Sequence, residues 1–222
     1  MDSHTAKAGT RRSRADGERS RQAILRASAD LATIDGLEGI SLGDLAAHIG
    51  MSKSGLYAHF GSKEELQLAT VETAIEIFNA EVVELAQGIT DPLAQLRALC
   101  DGFLSYVERR VFPGSCFFAS TAAEFDTHPG RVRDRIAAVQ QDWTDRLRGL
   151  IQEAQAAGSV DAEEDPAQLA FEVYAFLLLG NAAFVLDEDP AHLRRARAAI
   201  TSRLTPRDPK TRRPQGPRRA RP

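Results

Sequence analysis

The chain has 222 residues, 43% of them hydrophobic, which is enough for one large or two small domains with a substantial core and too apolar for a disordered chain. No continuous run of about 18 apolar residues stands out and the N-terminus is polar and arginine-bearing, which argues against a membrane span or secretory leader and points to a soluble, cytoplasmic protein. The net charge of −3 hides a partition: residues 1–63 carry +2, residues 64–193 carry −15 and residues 194–222 carry +10, so contact with a polyanion is restricted to the two ends.

In chain order, residues 1–15 hold Lys7, Arg11, Arg12 and Arg14 among small polar residues. They read as a disordered basic arm, either one that reaches DNA or a solvated tail. A helix is expected from about 16 to 34, with Ile24, Leu25, Ala27, Ser28, Leu31 and Ala32 inward and Gly36 and Gly39 ending it. Ser41 then serves as N-cap, with Asp44 in capping-box position, for a short helix carrying Leu42, Leu45, Ala46 and Ile49 at helical spacing. Gly50 ends that helix and Ser52 opens another, whose inward anchors are Leu56 and Phe60. Lys53, Ser54, Gly55, Tyr57 and His59 are left mostly outward. Two helices crossing at a tight turn, the second offering small polar residues from its N-terminal end, make the helix-turn-helix arrangement that enters a major groove. Residues 16–61 are thus expected to form a three-helix DNA-binding domain.

Ser62, with Glu65 three residues on, opens a connecting helix that is expected to run to about 87, close to 40 Å at 1.5 Å per residue. Lys63 lies in its first turn, where a phosphate is a fitting partner. Further helices are expected over 91–111, 115–127, 130–157, 166–187 and 190–204, with Asp91-Pro92, Asp165-Pro166 and Asp189-Pro190 marking three of the starts. The helix over 130–157 is apolar along one stripe, whereas that over 166–187 is apolar almost all round. Such a helix is buried on every side, either by a second subunit in a homodimer, the favoured reading, or as a central core helix. Residues 205–222 are rich in Pro, Gly and Arg and read as a disordered basic tail. No alternating strand pattern appears, so the fold is expected to be all-α.

Ser52, Lys53, Ser54 and Gly55 are placed nearest base edges, where lysine donates to guanine acceptors and glycine permits close approach. Tyr57 and His59 suit sugar-phosphate contacts. In the C-terminal part Phe103, Phe112, Phe117, Phe118, Phe125, Trp143 and Phe176 either line an apolar cavity or pack as ordinary core, with Tyr174 or Asn181 as a polar selector. Asn181 is open to two readings, a hydrogen bond across a dimer or a contact to ligand. Cys100 and Cys116 read as small buried hydrophobes, with a redox pair as the alternative. The five histidines are scattered, and HExxH, CxxC, GxSxG and P-loop spacings are missing, so no metal, cofactor or enzymatic activity is expected.

Residues from about 17 to 66 resemble the DNA-binding domain of the tetracycline-repressor (TetR) family, through Leu56-Tyr57-Ala58-His59-Phe60 and Lys63-Glu64-Glu65-Leu66. Gly114-Ser115-Cys116-Phe117-Phe118 and Ala123-Glu124-Phe125-Asp126 are similar to one C-terminal subgroup of that family. The resemblance implies a homodimer on a roughly palindromic double-stranded operator and a helical ligand-binding and dimerisation domain over residues 62–204. It further implies release of DNA when a small apolar or amphipathic effector binds. By position it assigns phosphate contacts to Ser41, Tyr57, His59 and Lys63, and base reading to Lys53, Ser54 and Gly55. The expected function is a ligand-released repressor. The alternatives are an activator, a ligand-independent regulator of the same fold, or an all-α protein-binding scaffold.

Overall fold

The computed structural model describes residues 4–205, with side chains from residue 17 onward. Among the described residues every regular element is helical. Helix α1 spans His4–Asp35, so the backbone is already helical over most of the stretch expected to be a disordered arm. Ala6, Lys7, Ala8, Arg11, Arg12 and Arg14 are strong helix formers, and that propensity prevails over the polar composition. The basic tail, residues 206–222, lies outside the described residues.

The two short helices fall where serine caps place them. α2 is Leu42–His48, and the Ser41 hydroxyl accepts from the Asp44 N–H at 3.1 Å while donating to the Asp44 carboxylate at 2.6 Å. α3 is Lys53–Phe60, where Ser52 Oγ accepts from the Gly55 N–H at 3.1 Å. Leu45 and Leu56 are fully buried between them and α1. α4 is Lys63–Phe78, capped by Ser62. It is braced to α1 by a buried hydroxyl pair, Ser28 to Thr70 at 2.8 Å, which leaves neither oxygen unsatisfied.

The connecting helix does not run on to residue 87 as a single α-helix. After Phe78 the winding loosens into a π turn, Asn79–Val83, and then tightens into a 3-10 turn, Glu84–Ala86. Val82 is fully buried there, and a Cβ on Gly102 would meet its carbonyl oxygen at 3.2 Å. Close packing on the next helix thus accompanies the change of winding, and π turns of this kind recur at functional sites.

α5 (Pro92–Glu108), α6 (Phe117–Phe125), α7 (Arg131–Ala156), α8 (Pro166–Asp187) and α9 (Ala191–Leu204) complete the body. α5 sits innermost and touches the π turn, α7, α8 and α9. Asp91 and Asp165 cap α5 and α8 with proline at the first turn. Within a single copy of the chain α8 is buried along one side and exposed along the other. Leu169, Val173, Leu177 and Phe184 are buried, but Phe171, Leu179 and Leu186 are 66%, 69% and 88% exposed. By length and composition α8 is also apolar enough to cross a membrane. Its three interrupting polar residues, Gln168, Glu172 and Asn181, had concealed that. Here one side of it is packed on α5, α7 and α9.

Candidate DNA-reading face and effector cavity

α3 presents its N-terminal half to solvent. Lys53, Ser54, Tyr57 and Ala58 border an open concavity, and Tyr57 is 52% exposed. Gly55 and His59 are half-buried; a Cβ on Gly55 would come within 3.1 Å of the capping Ser52 oxygen. Arg21 of α1 stacks its guanidinium over the Phe60 ring at 4.9 Å, which places a cation beside the reader that the sequence did not single out.

Two of the residues expected at phosphates are already engaged. The Ser41 hydroxyl is spent on its cap. Lys63 Nζ donates to the Glu38 carbonyl at 2.5 Å and to the Glu38 carboxylate at 3.1 Å. Gln67 Nε2 reaches the same carboxylate at 2.8 Å and the Leu37 carbonyl at 3.1 Å. The Gln67 hydrogen bond first, and the Lys63 ammonium after it, hold Glu38 below the usual carboxylate range. An acidic neighbour in the turn after α1 thus satisfies the ammonium.

In the body, four of the expected effector residues, Phe103, Phe118, Trp143 and Tyr174, line one slit together with Phe78, Cys116, Val139 and Gln140. Only about 20 Å³ of it admits the centre of a water molecule, room for roughly one water. Phe78, the last residue of α4, makes edge-on contacts with Phe103, Tyr106, Phe118 and Trp143 at centroid distances of 6.3, 5.6, 5.9 and 5.2 Å. Across the slit Gln140 donates to the Phe118 carbonyl at 3.1 Å and accepts from the Tyr174 hydroxyl, and burial raises the Tyr174 pKa. The Trp143 indole N–H is buried with no partner among the described residues. On the other side of Phe78, Phe118, Val139 and Trp143 lies a wider opening of about 180 Å³ on the same measure, rimmed by Arg135, Asp142, Arg146, Asn79 and Val83 of the π turn.

Phe117, Phe125 and Asn181 are outside both openings. Phe117 packs on Phe112 and Phe118 at 6.0 and 5.3 Å, and Phe125 lies against His128 at 6.2 Å, so both rings serve the packing of α6. The Asn181 side-chain oxygen accepts from Ser115 Oγ and from the Cys116 N–H at 3.3 Å. It lies outside the slit, and its side-chain oxygen is committed to donors at Ser115 and at Cys116, the residue before α6. Phe78, Val139 and Gln140 were passed over as site residues; Phe78 carried only the weak signal of an apolar residue at helical spacing. Burial pushes the Cys100 and Cys116 thiols up to about 12 and about 11, so both are protonated at neutral pH and poor redox centres.

A helix-turn-helix head carried on a helical body is the architecture of a DNA-binding regulator. Residues 24–70 match the model for bacterial regulatory proteins of the tetR family, and residues 92–200 match a tetracyclin repressor-like C-terminal domain. The chain belongs to the TetR family of transcriptional regulators. It is 27% identical to transcriptional regulator AcuR of Cereibacter sphaeroides over 73% of this chain and 74% of that one. A TetR regulator from Chloroflexus aurantiacus superposes with a TM-score of 0.78 at 29% identity, covering 84% of this chain and 94% of that one. AibR, solved with isovaleryl coenzyme A and operator DNA, superposes with a TM-score of 0.70 at 27% identity, covering 82% and 96%.

Proposed function

We propose that this chain is a cytoplasmic repressor that binds a two-fold symmetric operator as a homodimer and leaves it when a small apolar or amphipathic effector enters the slit. The observation that carries the reading is Phe78. It ends the helix leading from the reader and also forms one wall of the slit, so an occupant large enough to part the rings pushes on the element that positions α3. A space this tight admits a ligand only in a rearranged conformation, and that difference in affinity between conformations is what allows a ligand to shift an equilibrium. AibR, solved with isovaleryl coenzyme A and operator DNA together, supports a fold that takes both an acyl ligand and a duplex.

In this reading Lys53, Ser54 and Gly55, with Ser52 at the cap, approach bases. Tyr57 and His59 fix register on the backbone, with Ser41 and Lys63 contributing through the loops they hold. The stripe of Phe171, Leu179 and Leu186 is the face that a second copy covers. An exposed apolar row of this kind marks an interaction site, and the two readers must come to about 34–36 Å apart to enter successive major-groove turns.

Selection of bound sequences from random duplexes tests this directly. A two-fold symmetric motif is expected, with affinity falling steeply as salt rises. Tyr57→Ala should weaken binding to all sequences, and Lys53→Ala should shift base preference. Leu179→Glu should yield monomers by light scattering and abolish the symmetric motif. An asymmetric motif, or none, refutes the dimeric reading.

A further inference from the structure

The turn between α1 and α2 is gripped from two sides. From α4, Lys63 and Gln67 hold the Leu37 and Glu38 carbonyls and the Glu38 carboxylate. From α6, the Glu124 carboxylate receives the Leu37 N–H at 2.8 Å on one oxygen and the Glu38 N–H at 2.7 Å on the other. These are charge-assisted bonds to two successive backbone donors, the geometry of an anion-binding nest whose anion is the protein's own side chain. Gly36 precedes them at φ +83°, and a Cβ there would lie 2.7 Å from Glu124 Oε1. A side chain there would push the Glu124 carboxylate off the turn.

The other end of α6 belongs to the slit. Phe118 lines both openings and its carbonyl is held by Gln140. At the start of the helix Ser115 and Cys116 are tied to Asn181 of α8. From Phe118 to Glu124 is six residues, about 9 Å of helix. A ligand that displaces the backbone at Phe118, whose carbonyl Gln140 holds, therefore carries Glu124 with it as long as α6 stays helical.

We propose that Glu124 is the positioning residue through which the state of the slit reaches the reader: it holds the turn at Leu37 and Glu38 while the slit is closed and releases or drags it when α6 shifts. This rests on the effector reading above. Glu124 lies outside the slit and bonds the turn instead. Its contribution is the fixed placement of the turn that Lys63 and Gln67 then relay to α4.

The test uses the full chain and the duplex selected with the wild-type protein. Val139→Trp puts an additional ring into the slit in place of an effector, and Glu124→Ala removes the grip. Val139→Trp alone should weaken duplex binding by about tenfold or more, within the usual range of allosteric coupling, and should speed amide exchange at Leu37 and Glu38. Glu124→Ala should speed exchange at the same two amides. In the Glu124→Ala background Val139→Trp should then add less than about twofold, the non-additivity of coupled sites. Glu124→Gln, which keeps one acceptor oxygen, should expose one amide more than the other while melting as the wild type does, which separates loss of the grip from loss of fold. If Val139→Trp weakens binding equally in both backgrounds, the slit regulates by another route and the role of Glu124 alone is overturned. If Val139→Trp changes neither affinity nor exchange, the effector reading fails and the link falls with it. Unchanged exchange at Leu37 and Glu38 in Glu124→Ala overturns the grip itself.

Discussion

α3 and α6 are of similar length, 8 and 9 residues, yet they are built in opposite ways. α3 is settled locally: its cap is the residue before it, its anchors are Leu56 and Phe60, and its outer face is open. α6 has no side-chain cap of its own. Its ends are secured by Asn181, 65 and 66 residues away, and by the turn at Leu37 and Glu38, 87 and 86 residues away. A helix meant to meet an outside partner keeps its polar groups free, whereas one meant to carry a displacement commits them to other parts of the chain.

The comparison can be broken most severely at Phe117, which is fully buried under α6. Phe117→Ala should cost about 3–5 kcal/mol in denaturant unfolding, the usual range for a deleted core ring. A loss under about 1 kcal/mol would mean that α6 is not anchored by the body. Gly114→Ala comes next. A Cβ at Gly114 would fall 1.9 Å from the Thr33 carbonyl oxygen, on a segment whose N–H donates to Thr33 Oγ1 at 3.0 Å. Overpacking of this kind costs about 1–3 kcal/mol, and exchange should rise at the C-terminal end of α1 as well as in α6. By contrast Ser52→Ala should cost only about 1 kcal/mol, with faster exchange confined to the first turn of α3 and none in α6. If the effect of Ser52→Ala spreads into the body, the two helices do not differ as described.

The smallest effect is acid sensitivity at the turn and the connecting helix. Glu38 is held low by Gln67 and Lys63, and Glu72 by its hydrogen bonds from Arg135 at 2.6 and 2.9 Å. A depressed folded-state pKa adds stability that is fully present above the unfolded value, about 4.3, and is lost as pH falls through the folded value. Both side chains are about half exposed, so the loss should be a slight drop in melting temperature between pH 5 and pH 3. Glu38→Gln should flatten part of it.

The same contrast explains what was legible in the sequence. The Ser52 cap and the outward placement of Lys53, Ser54 and Tyr57 could be read from neighbours a few positions away, because capping and helical spacing act over one or two turns. The helical class and the starts at Asp91 and Asp165 were legible for the same reason. Glu124 stood out only within the stretch Ala123-Glu124-Phe125-Asp126 that resembles a family subgroup, and nothing local points to Leu37 and Glu38. Nor does Asn79–Val83 contain a glycine or proline to announce a π turn; the signal resides in Gly102, twenty residues on. Lys63 looked free for a phosphate because Glu38 is distant in sequence and adjacent only in the fold. The early basic residues looked disordered by composition, while their helix propensity was the better guide.

Trp143 is the chain's one tryptophan, and it stands between the slit and the wider opening, edge-on to Phe78. The protein thus carries its single indole fluorophore at the place where an effector would act. Its emission should be that of a dry indole, and it should redden and lose anisotropy when the rings part. Compound libraries can therefore be screened on the unlabelled protein by light alone, before any operator is known.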